Sequence, residues 1–406
     1  MQLRADLAST PELVAFRDEL RGWLDRHLSD EFKSDPLSDP TGAEGDAFER
    51  RRAWQRVLHD GGWIGVHWPA EYGGRGATLA EYAVYLVTCA EAGAPEPANQ
   101  IGLNMVGPTL IGHGTPAQQG LLGAILSADT IWCQLFSEPE AGSDLGAIRT
   151  RARRQADGSW AVAGQKVWTT LGPEADLGLL LARTGEAPSG FRGLSCFVVD
   201  MHAPGVTVRG LRQLGGQTHF SEVFLDDVVL PADALIGAED DGWSVATDTL
   251  GHERTTAILS RHATTLQAAS ALLGLAGRPG IGPPERDRAL AAWAEAQLFR
   301  LNGYRGVAAA VAEPGGSGAS PGDTGSPATW TQRMQWGLVN RRLFETAAAL
   351  RGAEALLLGT GDDDPWGTLL LASRGWTIGG GTTEIQRNML AEKILGLPRE
   401  PKAAAR

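Results

Sequence analysis

The chain has only three cysteines in 406 residues, Cys89, Cys133 and Cys196, scattered without a repeating interval. That spacing gives neither a disulfide framework nor a thiolate metal cluster, and it fits a reducing, cytoplasmic compartment. No apolar run approaches membrane-spanning length, and the first residues are amphipathic and acidic where an export signal would be basic and then apolar. A soluble, unexported protein is expected. Basic residues are in deficit, with 36 Lys and Arg against 48 Asp and Glu and a formal charge of -12. This balance argues against nonspecific binding to nucleic acid or to an anionic membrane, although a local basic patch could still receive an anionic cofactor. Gly (53) and Pro (22) stay below the level of a disordered chain, and 43% hydrophobic residues suffice for a core.

Length alone calls for two or three domains or one large multilayer unit. Apolar residues recur at helical spacing over 10–28, with Ser9 or Thr10 placed to cap and Pro11 in the first turn. Helical patterns continue over 48–60, 79–92, 99–113 and 116–126, so the first third reads as all helix. The period then changes. Around the turn dipeptide Asp157-Gly158, segments 148–153 and 160–168 alternate as a hairpin would, and 177–183, 194–200, 206–211 and 222–229 are further strand candidates. Helix returns over 243–275, breaks over 278–284, resumes to 312, and continues over 329–358 and near Thr382, with a low-complexity, mobile connection expected over 313–327. The divisions expected are an α-helical domain over 1–130, a β domain over 131–240 and an α-helical bundle over 241–406. The fold class is α+β.

One polar, turn-rich stretch over 134–147 interrupts this pattern between helix and strands. Such a loop satisfies its backbone groups at the surface or against a bound polar ligand. It carries Ser137-Glu138-Pro139-Glu140-Ala141-Gly142-Ser143-Asp144. Earlier come Gly62-Trp63-Ile64-Gly65 and Pro69-Ala70-Glu71-Tyr72-Gly73-Gly74; later come Gly164-Gln165-Lys166-Val167-Trp168-Thr169-Thr170 and Gly381-Thr382-Thr383-Glu384-Ile385-Gln386-Arg387. In content and order these motifs resemble those of the acyl-CoA dehydrogenase family across nearly the whole chain.

The resemblance implies an N-terminal helical domain, a middle β domain and a C-terminal four-helix bundle, with FAD between them. It also implies removal of a Cα proton and a Cβ hydride from an acyl thioester, carried by CoA or by an acyl carrier protein, with an electron-transferring flavoprotein as acceptor. Side chains do not accept hydride, so a flavin must, while a carboxylate in a dry pocket serves as base. The position of the usual base, just before the last Gly-Thr, is Gly380. A second family arrangement puts the base on the first bundle helix, where Gly251-His252-Glu253-Arg254 stands, so Glu253 is the catalytic candidate. A helical Glu253 paired with a neighbouring arginine such as Arg254 is the alternative. Glu384 is the second carboxylate to weigh, although it suits the N-terminal end of the last helix better.

By the same resemblance, the Gly380 amide would face the thioester oxygen, Phe136 and Ser137 the flavin ring, and Trp168 and Thr170 the ring's stacking and hydrogen-bonding positions. Thr382 and Glu384 would lie at the cofactor, and Ser143 and Arg254 toward the substrate. Read singly, Trp168 could be a core aromatic and Ser137 a turn hydroxyl. Arg149, Arg151, Arg153 and Arg154 could meet CoA phosphates, or form a solvated strand face. Leu135-Phe136 stand where smaller residues are usual. Two elements that homotetrameric relatives use on a neighbour's FAD are absent, the corresponding stretches being Arg278-Pro279-Gly280-Ile281-Gly282 and 356–364 with its three aspartates. This combination is similar to one subunit of heterotetrameric, steroid side-chain members, against a homo-oligomer with an altered FAD grip. An oxidase or monooxygenase on the same fold, or a silent partner subunit, are the competing functions.

Overall fold

The structure, a computed structural model, describes residues 7–35, 37, 44–186, 190–256, 259–312, 327–357 and 364–399, with backbone alone at 253–256, 259, 310–312 and 327–330. The first third is helical: α1 (Pro11–His27), α2 (Gly45–Asp60), α3 (Leu79–Glu91), a π-turn (Gly102–Val106) running into α4 (Gly107–His113), then α5 (Pro116–Gln119) and α6 (Leu122–Leu126). Thr10 caps α1 and Pro11 opens it, while Thr78 and Glu81 form a reciprocal capping box on α3. The pattern over 116–126 divides in two at a turn over Gly120 and Leu121, where the Leu121 amide bonds the Gln118 carbonyl.

Eight strands follow: β1 (Trp132–Leu135), β2 (Arg151–Arg154), β3 (Trp160–Thr170), β4 (Leu177–Arg183), β5 (Leu194–Asp200), β6 (Val206–Leu211), β7 (Phe220–Leu230) and β8 (Leu235–Ile236). Their order is β6-β7-β3-β2-β4-β5-β8, with β1 added in parallel to β4. The hairpin around Asp157-Gly158 is present, pairing Arg154 with Trp160. Two strands escaped the sequence reading. β1 contains Gln134 and Leu135, placed by the sequence in the loop, and β8 is two residues long. Neither is long enough to show an alternating pattern.

The chain closes with α7 (Gly242–Thr256), α8 (Leu259–Ala276), α9 (Pro283–Ala312), α10 (Pro327–Arg351), a 3-10 turn (Gly352–Leu356), α11 (Pro365–Ala372) and α12 (Thr383–Met389). The sequence reading ran α10 on to residue 358 and missed α11. Asp364 explains α11: its buried carboxylate accepts from the Gly367 amide at the helix start and pairs with half-buried Arg351 at 2.8 Å. The aspartate run therefore commits its last member to holding the bundle together, while Asp362 and Asp363 lie outside the described residues, as does the connection 313–326.

Three large cores divide the molecule. One contains Trp23, Trp54 and Trp63 of the N-terminal helices, Trp132, Leu179 and Cys196 of the sheet, and Val245 and Ala246 of α7. A second lies within the sheet, around Val162, Leu180, Phe197 and Val223. The third belongs to the bundle, where Ala269, Leu272, Phe299, Trp336 and Leu343 pack together. The start of α7 is pressed onto the sheet, since a Cβ on Gly242 would lie 2.4 Å from the Ser195 Cα. Among the described residues no helix is long and apolar enough to cross a membrane, and no cluster of three metal-ligating side chains occurs. The three cysteines are unpaired, and burial raises the thiol of each, Cys89 to about 12.

Inside the bundle, His262 is fully buried, with Nε2 2.6 Å from Gln332 Oε1 and its ring edge-on to Phe299. Burial, aided by the nearby Arg300 charge and opposed by the Gln332 bond, lowers its pKa from 6.5 to about 4. The unfolded chain therefore takes up this proton first as pH falls. Stability present above pH 6.5 should be lost progressively as pH falls through 4, by up to about 3 kcal/mol from this group. Urea midpoints measured at pH 7 and pH 4.5 should separate by less in His262→Gln, which keeps a donor toward Gln332 without titrating.

Candidate functional site

β1 reaches its position through buried amides on the helical side. Gln55 Nε2 donates to the Ile125 and Leu126 carbonyls, and its Oε1 accepts from the Asn99 amide at 2.9 Å. Asn99 in turn donates to the Thr130 carbonyl and accepts from the Trp132 amide at 3.0 Å. Both side chains are fully buried, so these bonds are made in a dry interior where an unmade one costs about 1–3 kcal/mol. β1 then delivers Phe136 and Ser137 into the polar loop. Sequence reasoning missed this pair, whose only trace is an amide side chain on an otherwise apolar helix face.

The loop is clamped to β3 by a buried ion pair. Lys166, with no exposure, donates to Glu138 Oε1 at 2.8 Å and to the Phe136 carbonyl at 3.0 Å. Glu138 also accepts from the backbone amides of Arg149 and Thr150, at 2.6 and 2.9 Å. Burial alone would raise the Glu138 carboxyl, but the Lys166 charge and these donors hold it below its ordinary value. Burial lowers Lys166 to about 8, and the Glu138 charge opposes that change. Both directions describe one desolvated pair whose charges are kept by each other. The sequence carried both residues within quoted motifs without marking them as partners.

β3 bulges against β7 between Lys166 and Thr169. The bulge puts Trp168 at φ +60, a left-handed conformation that costs a bulky residue energy, and turns its indole out to 60% exposure. Trp168 is therefore not the core aromatic it could have been. At the same bulge the Val167 amide donates to the Ser137 carbonyl at 2.9 Å, setting the loop beside the indole. The hydroxyls of Ser137 and Thr170 have no partner among the described residues, and the Thr169 Oγ1 and Gln134 Nε2 atoms are buried without one. An exposed aromatic face and two open hydroxyls suit a flat heteroaromatic ligand rimmed by carbonyls and ring nitrogens. Phe136 is buried in the shared core, so its bulk points away from open space and its carbonyl is already taken by Lys166.

Ser143 is exposed near the loop tip, and Arg149 pairs there with Glu140 at 3.0 Å. Arg151, Arg153 and Arg154 are exposed on β2, with Arg154 3.4 Å from Glu239, which is the solvated strand face. The last motif forms a separate turn. Gly380 and Gly381 have φ of +65 and +97, Thr382 caps α12 by accepting from the Ile385 amide at 3.2 Å, and Glu384 sits exposed in the first helical turn. The Gly380 carbonyl accepts from Gln386, and its amide has no partner among the described residues. No hydrogen bond or ion pair among the described residues joins this turn to Ser137 or Trp168.

α7 carries Glu253 and Arg254, whose side chains lie outside the described residues. Its backbone is nevertheless fixed. Thr249 and Thr109 share a hydroxyl bond of 2.8 Å, and Asp248 meets His113 Nε2 at 2.9 Å, tying α7 to α4. Burial lowers His252, the residue before Glu253, with Asp248 opposing and His113 reinforcing the shift.

Comparison with known proteins matches the descriptions "Acyl-CoA dehydrogenase, N-terminal domain" over residues 10–127, "middle domain" over 133–228 and "C-terminal domain" over 240–395. The chain belongs to the acyl-CoA dehydrogenase family. It is 38% identical to acyl-CoA dehydrogenase IpdE1 of Mycolicibacterium smegmatis over 96% of this chain and 99% of that one. Among solved structures, it is similar to the Tcur3481-Tcur3483 steroid ACAD, with 26% identity, a TM-score of 0.80 and coverage of 98% and 100%. It is also similar to a chain of the ChsE4-ChsE5 complex from Mycobacterium tuberculosis, with 25% identity, a TM-score of 0.77 and coverage of 98% and 100%. The α+β architecture of N-terminal helices, middle sheet and C-terminal helices is that of the family, and the chain is an acyl-CoA dehydrogenase family enzyme.

Removing one partner of the clamp strands a buried charge. Lys166→Met should lower stability by about 3–5 kcal/mol. The double variant Lys166→Met/Glu138→Gln should recover part of that loss, as read from urea unfolding midpoints.

Proposed function

We propose that the chain catalyses FAD-dependent α,β-dehydrogenation of an acyl-CoA thioester, with Glu253 as the base. The observation that carries this reading is the Trp168 bulge beside Ser137 and Thr170, a strained and open aromatic platform that needs a flat polar ligand. Trp168 would stack on the flavin, Ser137 and Thr170 would hydrogen-bond its polar edge, and Thr382 and Glu384 would border it at the start of α12. FAD, when bound, supplies the two-electron acceptor for the Cβ hydrogen.

The remaining work falls to this chain. Glu253 would take the Cα proton, which requires a carboxylate kept ionised yet poorly solvated. The free Gly380 amide faces the thioester carbonyl and stabilises the charge that develops there. With φ at +65, position 380 is a conformation glycine adopts without strain, which supports a role for its backbone amide. Ser143 and Arg254 are the proposed contacts to the thioester arm. Glu253→Gln should lower turnover roughly a hundred- to ten-thousand-fold while leaving flavin content unchanged. Turnover and flavin absorbance measured on the same sample check this, and unchanged turnover would remove Glu253 from the role.

We further propose that the chain works with a second acyl-CoA dehydrogenase-like subunit. Support comes from the lack of the two neighbour-reaching elements at 278–282 and 356–364, and from similar structures described as paired proteins. Purified alone, the chain should hold little flavin, with near-stoichiometric content restored on co-expression with that partner. Full occupancy and full activity of the isolated chain would favour a self-sufficient homo-oligomer. Electron-transferring flavoprotein is the proposed acceptor, and rapid oxygen consumption during turnover would indicate an oxidase instead.

A further inference from the structure

A cavity of about 70 Å³ lies between the N-terminal helices and the start of α8. It is bordered by His67, Tyr82, Glu96, Gln100, Asn104 and Ser260, with Arg261 also on its wall. His67 feels the charge of His252, the residue before Glu253, and Ser260 follows Glu253 by seven positions. The cavity thus lies close to the segment of chain that carries the proposed base.

Its lining is wrong for a plain hydrocarbon. Glu96 accepts from Ser260 at 2.9 Å and from Gln100, and Asn104 Oδ1 accepts from Tyr82 at 3.2 Å. These bonds leave the Asn104 amide N–H and the Gln100 carbonyl without partners among the described residues, and His67 Nδ1 is buried with none. Burial lowers His67 to about 3, so its ring is neutral and offers one donor and one acceptor. A methylene chain would cover all of these groups and leave each unpaired, at about 1–3 kcal/mol apiece. A hydroxyl can give a hydrogen bond to one and receive one from another. Arg261 is the sole cation on the wall among the described residues, and its guanidinium lies over the Trp336 ring, 4.3 Å from the centroid. With Glu96 facing the same space, a carboxylate is disfavoured.

Resting on the dehydrogenase reading above, we propose that this cavity is the far end of the acyl site and selects acyl groups bearing a hydroxyl remote from the thioester. The selection follows from unpaired donors and acceptors, which discriminate against a substrate lacking the group more strongly than an apolar pocket discriminates by size.

The test uses the flavin-loaded protein in its active assembly. Its kcat/KM is measured for ω-hydroxyacyl-, ω-carboxyacyl- and unsubstituted acyl-CoAs from hexanoyl to dodecanoyl. At the chain length that reaches the cavity, the hydroxyacyl substrate should exceed its unsubstituted counterpart by about tenfold or more, the worth of one good hydrogen bond. Gln100→Leu/Asn104→Leu should bring that ratio close to one, with the loss falling on the hydroxyacyl substrate. Equal rates for the two at every length, or preference for the carboxyacyl series, would overturn the inference while leaving the dehydrogenase intact. Failure to oxidise any acyl-CoA would count against the proposed reaction. Calorimetric binding of the matching CoA thioethers then decides the cavity separately, tighter binding of the hydroxylated thioether supporting it and equal binding refuting it.

Discussion

The Lys166–Glu138 ion pair is the constraint on which the candidate site depends. Two charges removed from water are tolerated only because each is met by the other and by backbone groups, the Phe136 carbonyl on one side and the Arg149 and Thr150 amides on the other. That arrangement fixes the loop after β1 against the strand that bulges at Trp168. The loop hydroxyl and the exposed indole are then neighbours by construction, because the Val167 amide that adjoins the bulge bonds the Ser137 carbonyl. Strain at Trp168 is carried by a framework stiff enough to hold it.

Positioning spreads outward from this clamp through buried and half-buried hydrogen bonds. Gln55 and Asn99 lock the helical layer to β1, and Thr109, Thr249, His113 and Asp248 lock α4 to the helix bearing Glu253. None of these groups need touch a substrate. They decide where the Trp168 platform and α7 stand relative to the same sheet, and the proposed removal of a proton and a hydride from adjacent carbons depends on that placement.

Much of this was legible in the sequence, and the reasons differ by element. Long helices and strands with clear period, such as α1, α3, β4, β5 and β6, are recovered to within about a residue because burial of one face dictates the pattern. β1 and β8 are too short to show a period, and α11 was hidden because its start depends on Asp364 finding Arg351, a contact distant in sequence. Ser137, Trp168, Thr170 and Gly380 were legible only through ordered motifs. The bulge that exposes Trp168 and the partnership of Glu138 with Lys166 were not, since both are properties of strand pairing across 28 residues or more. The unpaired groups around the cavity were equally invisible, because a vacancy in hydrogen bonding exists only once every neighbour is placed.

The distribution of cores gives α7 a particular standing. Val245 and Ala246 near its start are buried in the core shared by the N-terminal helices and the sheet, whereas α8, which follows it, packs in the separate bundle core. Two cooperative units can therefore open with different free energies, and the segment bearing Glu253 straddles their boundary. Fraying of the bundle would displace the α7 backbone at Glu253, the proposed base, relative to the Trp168 platform without disturbing the platform itself. The proposed base is in that sense the part of the machinery whose alignment would report the integrity of the whole molecule.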